Sequence, residues 1–348
     1  MKKRVAFFDT KQYDRAFFST AEGFEEFEFF FFETKLTEES ARLTAGFDAV
    51  CAFVNDTIDT AVIDILHTNK IRLVAMRCAG YNNVDICYAH EKNIRVVRVP
   101  AYSPYAVAEH ALALMMSLNR KVHRAYYRTR DNNFNITGLV GFDFYGKTAG
   151  VIGTGKIGRI MIGILKGLGM DVLAYDKYPD TDFAHKHAIS YTSLDDLYRR
   201  ADLISLHCPL TPETHHLINT KSIQKMRKGV MLINTSRGPL IDTAALIEGL
   251  KEGQVGYAGL DVYEEEGDFF FEDLSSEVMP DDQLARLLSF NNVIITSHQA
   301  FLTEEALSNI AATTIANLRE YFTDTSLTNE VCGTCTEETC VMENRFSK

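Results

Sequence analysis

The feature that most constrains this chain is Gly153-Thr154-Gly155-Lys156-Ile157-Gly158, three glycines in the spacing G-x-G-x-x-G. The run follows an apolar stretch, Thr148 to Ile152, that reads as a strand, and it opens a helical apolar pattern from Ile160 to Leu168. In that context each glycine has its own reason: the first makes a tight turn, the second lets a pyrophosphate approach the backbone, the third allows close helix packing. The helix N-terminus then turns its free amides toward the phosphates. The next strand, Asp171 to Tyr175, leads into Asp176, eighteen residues after Gly158, where an acid can accept hydrogen bonds from an adenosine ribose. A 2′-phosphate would meet that carboxylate's charge, so the expected cofactor is NAD, with Lys177 next door allowing some tolerance of NADP. A glycine-rich turn without a ligand would not need strand, helix and acid together.

Around this unit the chain alternates short apolar runs with longer helical patterns. Arg4 to Phe8, Ala49 to Val54, Leu73 to Arg77 and Arg95 to Val99 read as strands, with Thr60 to Thr68 and Val84 to Lys92 as helices between them. Phe29-Phe30-Phe31-Phe32, flanked by glutamates, reads as a buried strand rather than a membrane contact. After Pro100, Ser103-Pro104 begins an apolar helix through Leu118, and a second series follows: Thr148 to Ile152, Asp171 to Tyr175, Leu203 to His207, Val230 to Asn234, Tyr257 to Asp261 and Val293 to Thr296. Ala300 to about Tyr321 reads as one amphipathic helix returning to the first domain. The expected fold class is α/β: a doubly wound parallel-sheet (Rossmann) nucleotide-binding domain over 102–299, plus a smaller flavodoxin-like α/β substrate domain from 1–101 and 300–331, with a cysteine-containing tail at 332–348.

Composition bounds the rest. At 348 residues two domains are the first expectation, and 46% hydrophobic with 24% charged residues is a globular balance. The formal charge of −11 argues against nucleic acid or an anionic membrane as partner, yet leaves small acidic substrates open, because one arginine in a pocket can hold a carboxylate. Val5 to Phe8 is too short for a signal peptide, and no stretch approaches the apolar length of a membrane span, so the expected location is the cytoplasm. Seven cysteines occur, an odd number; Cys51, Cys78, Cys87 and Cys208 lie in apolar surroundings and read as reduced core thiols.

Chemistry-bearing residues follow the strands, where open α/β sheets place their ligand groups. Arg237, in Asn234-Thr235-Ser236-Arg237-Gly238, has the planar fork that grips a carboxylate through two parallel hydrogen bonds, although a lone loop arginine is as readily a solvated one. His298, in Thr296-Ser297-His298-Gln299, is suited to proton transfer near neutral pH, or is an ordinary structural histidine. Glu264, Glu265 and Glu266 follow the strand that ends at Asp261, and a carboxylate beside the imidazole would orient it and favour its charged form. The residues alone leave open which glutamate that is.

Val151 to Gly158, Ser205-Leu206-His207-Cys208-Pro209-Leu210-Thr211-Pro212, Asn234 to Gly238, Gly259-Leu260-Asp261-Val262-Tyr263 and Ser297-His298-Gln299-Ala300 resemble, in order and spacing, the motifs of the D-2-hydroxyacid dehydrogenases. The resemblance spans residues 1 to about 331. It implies a catalytic set of Arg237, Glu266 and His298, and cofactor contacts from Gly153, Thr154, Gly155, Lys156, Ile157, Gly158, Asp176, Cys208, Pro209, Thr235 and Asp261. Val99-Pro100-Ala101-Tyr102-Ser103-Pro104, Ala108-Glu109-His110-Ala111, Leu118-Asn119-Arg120 with His123-Arg124-Ala125-Tyr126, and Phe269 to Asp273 are similar to the family's fermentative D-lactate branch. That implies reduction of pyruvate by NADH to D-lactate, with Ala79, Gly80, Tyr102 and Arg237 at the substrate, hinges near Ala101 and Gln299, and a homodimer or higher oligomer through 106–130.

A larger 2-oxo acid as substrate, and a non-enzymatic NAD-sensing corepressor or scaffold on the same fold, are the alternatives. In the tail, Cys332, Cys335 and Cys340 have no histidine beside them and fall short of the four ligands of a structural zinc site. No metal is expected, and the segment reads as incidental rather than as a thiol switch.

Overall fold

A computed structural model describes residues 2–331 of the chain, so the expectations for Cys332, Cys335 and Cys340 lie outside the described residues. The polypeptide forms two compact units: one is Met1–Ser103 joined by the segment that begins at Leu302, the other is Pro104–Phe301. The joints fall two residues later than the sequence suggests, because Pro104 is the first residue of the helix Pro104–Arg120. Proline at a helix start loses no hydrogen bond.

The first unit is a parallel sheet of β1 (Lys3–Phe7), β2 (Phe27–Phe31), β3 (Ala49–Ala52), β4 (Leu73–Met76) and β5 (Arg95–Val97), in the order β2-β1-β3-β4-β5. This is the flavodoxin-like winding. β3 and β4 are buried along their whole length and therefore read as unbroken apolar runs rather than alternating ones. The helices Thr60–Thr68 and Ile86–Glu91 start where Asp59 and Asp85 accept from the amides of Val62 and Tyr88. The returning helix begins at Glu304, not Ala300, because the Thr303 hydroxyl caps the amide of Ala306.

Two expectations for this unit need correction. The phenylalanine run lies on β2, an edge strand, where only Phe27 is buried and Phe29, Phe30 and Phe31 are half-exposed, with Phe29 against Phe18 of the helix Gln12–Thr20, Phe31 against Phe7 and Phe30 against Phe47. Cys51, Cys78 and Cys208 are buried, but Cys87 is exposed, since the short helix Ile86–Glu91 buries only Ala89.

Immediately after β4 comes Arg77, fully buried between the rings of Phe7 and Phe53 at 4.4 and 4.6 Å and paired with Asp14 at 3.3 Å. Taking that charge from water is costly, and the aromatic faces and the carboxylate together offset the cost. The arrangement anchors the end of β4 from which Cys78-Ala79-Gly80-Tyr81 departs.

The second unit is a parallel sheet of β6 (Thr148–Ile152), β7 (Asp171–Tyr175), β8 (Ser190–Tyr191), β9 (Leu203–Leu206), β10 (Val230–Asn234), β11 (Val255–Leu260) and β12 (Val293–Ile295), in the order β12-β11-β10-β9-β6-β7-β8. The order reverses between β6 and β9, the switch point at which a doubly wound sheet opens a crevice. β8 escapes sequence reading because two residues carry no periodicity. On β10, Val230 and Leu232 join one apolar cluster with Leu197, Ile223 and Leu246, while Met231 and Ile233 join another with Leu114, Leu118 and Met161. Alternate residues thus feed the two faces, which is what covering a sheet by helices on both sides requires.

Candidate active site

The glycine loop links β6 to the helix Lys156–Gly167, which starts four residues before the apolar pattern suggests. Gly153 sits at φ +94°, and a Cβ there would come within 2.5 Å of the His207 carbonyl carbon. A Cβ on Gly158 would stand 2.0 Å from the Gly153 carbonyl oxygen, so this glycine lets the helix pack onto the turn. A Cβ on Gly155, by contrast, would meet nothing of the protein within 4 Å beyond its own chain neighbours. That open flank, beside a twelve-residue helix whose first turn no side chain caps, fits a pyrophosphate. Thr154 lies in the turn; Lys156 and Ile157 are the first helical residues, with Lys156 exposed.

Asp176 follows β7 and is tied to the loop: one carboxylate oxygen accepts from the Thr154 amide at 2.7 Å and its hydroxyl at 3.0 Å, the other from the Tyr178 amide at 2.9 Å. It is half-buried, and Oδ1, which accepts a single hydrogen bond, retains a lone pair for a ribose hydroxyl. Lys177 is exposed and 4.0 Å from Glu213. Across the switch point the His207 amide donates to the Ile152 carbonyl at 2.7 Å, which sets His207-Cys208-Pro209 against the glycine turn. Burial pushes the Cys208 thiol up to about 11, so it is an apolar wall rather than a nucleophile. The Ser236 hydroxyl donates to the Cys208 carbonyl at 2.8 Å, and the neighbouring Thr235 hydroxyl is buried with no partner among the described residues. A buried hydroxyl left unpaired is costly, and a ligand's polar group would satisfy it.

Arg237 follows β10. Asn234 Nδ2 donates to the Arg237 carbonyl at 2.8 Å, and the Ser236 backbone amide donates to Asn234 Oδ1 at 3.0 Å, closing the turn. The guanidinium donates only to the Ser236 carbonyl, at 2.7 Å, and forms no ion pair among the described residues. Its neighbour Gly238 is essential for a different reason: a Cβ would lie 2.0 Å from the Tyr263 carbonyl oxygen. Only glycine lets the segment after β11 run this close.

That segment separates the three glutamates. The Glu264 carboxylate accepts from His216 and from the amide and hydroxyl of Thr243 at 3.2 and 2.9 Å. Burial alone would raise its pKa, but these hydrogen bonds hold it below the usual range. Glu265 is exposed. Glu266 accepts through Oε2 from the Tyr263 amide at 3.0 Å and lies through Oε1 2.8 Å from His298 Nδ1. His215, His216 and Glu264 are near enough to be considered as metal ligands, but the Glu264 oxygens are already committed to His216 and Thr243.

His298 stands just after β12 at φ +52°, a left-handed conformation unusual for a residue with a Cβ. Asp261 imposes it. The His298 amide donates to the Asp261 carbonyl at 2.7 Å, and the buried Asp261 carboxylate accepts from the amides of Gln299 and Ala300 at 2.9 and 2.8 Å and from the Thr296 hydroxyl at 2.5 Å. Within this network Asp261, expected among the cofactor contacts, anchors the loop that carries the histidine. His110, from the helix Pro104–Arg120, reaches Thr296 Oγ1 at 3.0 Å and stands 3.4 Å from Asp261. Sequence reading gave His110 no role; the signal was its place on an otherwise apolar helix face. Phe271, at φ +70°, sets its ring 6.1 Å from that of His298.

The remaining expected substrate residues belong to the first unit. Ala79 and Gly80 lie in the turn after Arg77, where the Ala79 carbonyl accepts from Arg98 at 2.8 Å. The Tyr102 carbonyl accepts from Asn309 at 2.7 Å, tying the end of this unit to its returning helix.

Residues 112–300 match the family described as D-isomer specific 2-hydroxyacid dehydrogenase, NAD binding domain. Over 315 residues the chain is 52% identical to a D-lactate dehydrogenase of Escherichia coli, covering 90% of this chain and 95% of that protein. A solved structure identified as the pyruvate reductase of Chlamydomonas reinhardtii is similar with a TM-score of 0.88 and 46% identity, over 94% of this chain and 98% of the other. An NAD complex of a D-isomer specific 2-hydroxyacid dehydrogenase from Lactobacillus delbrueckii aligns over 94% of this chain and 100% of its own, at 28% identity and a TM-score of 0.76. A doubly wound sheet with its glycine loop and ribose-side acid, and matches of this extent, have one reading: the chain belongs to the D-isomer specific 2-hydroxyacid dehydrogenases, NAD-dependent oxidoreductases.

Proposed function

We propose that this enzyme is a D-lactate dehydrogenase that reduces pyruvate to D-lactate with NADH, and that Arg237, Glu266 and His298 are its catalytic residues. The observation that carries the assignment of roles is the 2.8 Å contact between Glu266 and His298 Nδ1. With Nδ1 committed to the carboxylate, Nε2 is the nitrogen left to exchange a proton with substrate. NADH bound along the glycine loop supplies the hydride to the keto carbon. Arg237, which has no carboxylate partner among the described residues, binds the 2-oxo acid, and His298 Nε2 delivers the proton to the oxygen that gains charge. Glu266 holds the ring in place and compensates the imidazolium. Ala79, Gly80 and Tyr102 complete the substrate contacts in this reading. The names of the relatives support pyruvate and the D configuration.

We assign the protein to the cytoplasm, a reducing compartment that suits the buried thiols of Cys51 and Cys208. No helix among the described residues is long and apolar enough to cross a membrane. Exposed Val122, Tyr126, Tyr127, Phe134, Ile136 and Val140 form an apolar stretch that suits a homodimer contact. The deciding experiment is NADH oxidation by purified protein with pyruvate, oxaloacetate, phenylpyruvate, 2-oxoisocaproate and hydroxypyruvate, and chiral analysis of the product. Preference for pyruvate with a D product is expected. Preference for a bulkier acid moves the substrate and keeps the chemistry, and NADH binding without turnover of any acid overturns the enzymatic reading.

A further inference from the structure

We propose that Arg98 and the Cys78 thiol are positioning residues that aim the backbone amides of Gly80 and Tyr81 at the substrate's carboxylate. The proposal rests on the reading that the Ala79-Gly80 turn contacts substrate. A trans peptide points its carbonyl and its amide hydrogen in opposite directions, so whatever holds a carbonyl also aims the next amide. Arg98 Nη1 donates to the Ala79 carbonyl at 2.8 Å, and Cys78 Sγ donates to the Gly80 carbonyl at 3.2 Å. The two clamps therefore turn the amides of Gly80 and Tyr81 away from Arg98 and Cys78. Neither those amides nor that of Ala79 donates a hydrogen bond within the described residues. Three consecutive unspent donors in a partly exposed turn are available to an anion.

The clamp is itself rigidly held. Arg98 lies one residue past β5, where its amide donates to the Asn329 carbonyl at 3.0 Å and its carbonyl accepts from buried Asn317 at 2.8 Å. Asn329 in turn donates to Asn317 Oδ1 at 2.8 Å. The guanidinium also sits 5.0 Å over the Tyr81 ring, and the Val99 amide donates to the Cys78 carbonyl at 3.1 Å. Beyond orientation, a cation on the Ala79 carbonyl polarises that peptide and strengthens the Gly80 amide as a donor. Arginine does this from the side away from the substrate, so its charge need never touch the carboxylate.

The test measures oxamate, an unreactive pyruvate analogue, binding to the NADH complex, together with KM and kcat for pyruvate, NADH affinity and melting temperature. Arg98→Met keeps the stem over Tyr81 and deletes the donors. It is expected to weaken oxamate and raise KM by roughly tenfold, as for loss of a charge-assisted hydrogen bond, with NADH affinity unchanged. Arg98→Lys and Arg98→Gln, which each keep a donor, should fall between parent and Arg98→Met, and they carry the test if Arg98→Met does not fold. Oxamate affinity within twofold of the parent in a folded Arg98→Met overturns the proposal. Gly80→Pro, which removes the amide itself, separates the two levels: oxamate loss there with none in Arg98→Met overturns only the positioning role. Unchanged oxamate affinity in a folded Gly80→Pro overturns the turn as a substrate contact, and the positioning role with it.

Discussion

Glu266 Oε1 lies 2.8 Å from Nδ1 of His298, a residue 32 positions further along the chain and displayed by a different strand end. The pair is held from both sides, because the Tyr263 amide fixes the second Glu266 oxygen and Asp261 fixes the backbone of the histidine. A carboxylate so placed sets the tautomer as well as the orientation of the ring.

Glu266→Gln tests that relationship. The amide keeps the shape and removes the charge that compensates the imidazolium. Turnover of pyruvate should fall by roughly a hundredfold, within the usual range for general acid–base catalysis, while NADH affinity is retained. Steady-state rates and a fluorescence titration of NADH measure the two quantities. Unchanged turnover would remove the pair from the chemistry.

Asp176 is expected to set the cofactor preference. Asp176→Ala takes away the acceptor for a ribose hydroxyl and the charge that repels a 2′-phosphate. The ratio of kcat/KM for NADPH to that for NADH should rise by at least about tenfold. Thr154 also loses an acceptor for its amide and hydroxyl, so a stability loss of about 1 kcal/mol is expected in a denaturant titration. A ratio that does not move would show that discrimination resides elsewhere.

His207 makes stability depend on pH. Burial lowers its pKa from 6.5 to about 4, so the folded protein holds it neutral where the unfolded chain binds a proton. Between those two values the unfolded state binds more protons, and stability falls as pH is lowered through that window. The contribution is at most about 3 kcal/mol, and less in so far as the ring edge meets solvent. Denaturant titrations at several pH values should show a flatter acid limb in His207→Asn than in the parent. Parallel limbs would mean that other groups account for the acid sensitivity.

The elements of both units were legible because strand and helix periods are local. β6, β7 and β10 run over the residues that the apolar pattern marks, and the helix expected from Thr60 does begin there, capped by Asp59 through a hydrogen bond spanning three residues. The spacing of the three glycines was legible for the same reason, whereas the approach of His207 to Gly153 was not. β8 and the exposed thiol of Cys87 were not, because two residues carry no period and a six-residue helix shows too little of a face.

By itself, the sequence determined the α/β class, the NAD loop and the short stretches after each strand where chemistry had to lie. From the residues alone, Glu264, Glu265 and Glu266 were equivalent, and Asp261 was a cofactor contact only by the family resemblance. Tertiary structure decided between them: His216 and Thr243 claim Glu264, solvent takes Glu265, and the histidine loop takes Glu266 and the Asp261 carboxylate. The physical reason is that a side chain's direction beyond a strand end is set by whatever distant backbone can approach it. Here that approach depends on Gly238, where the space a Cβ would occupy is filled by the carbonyl of Tyr263.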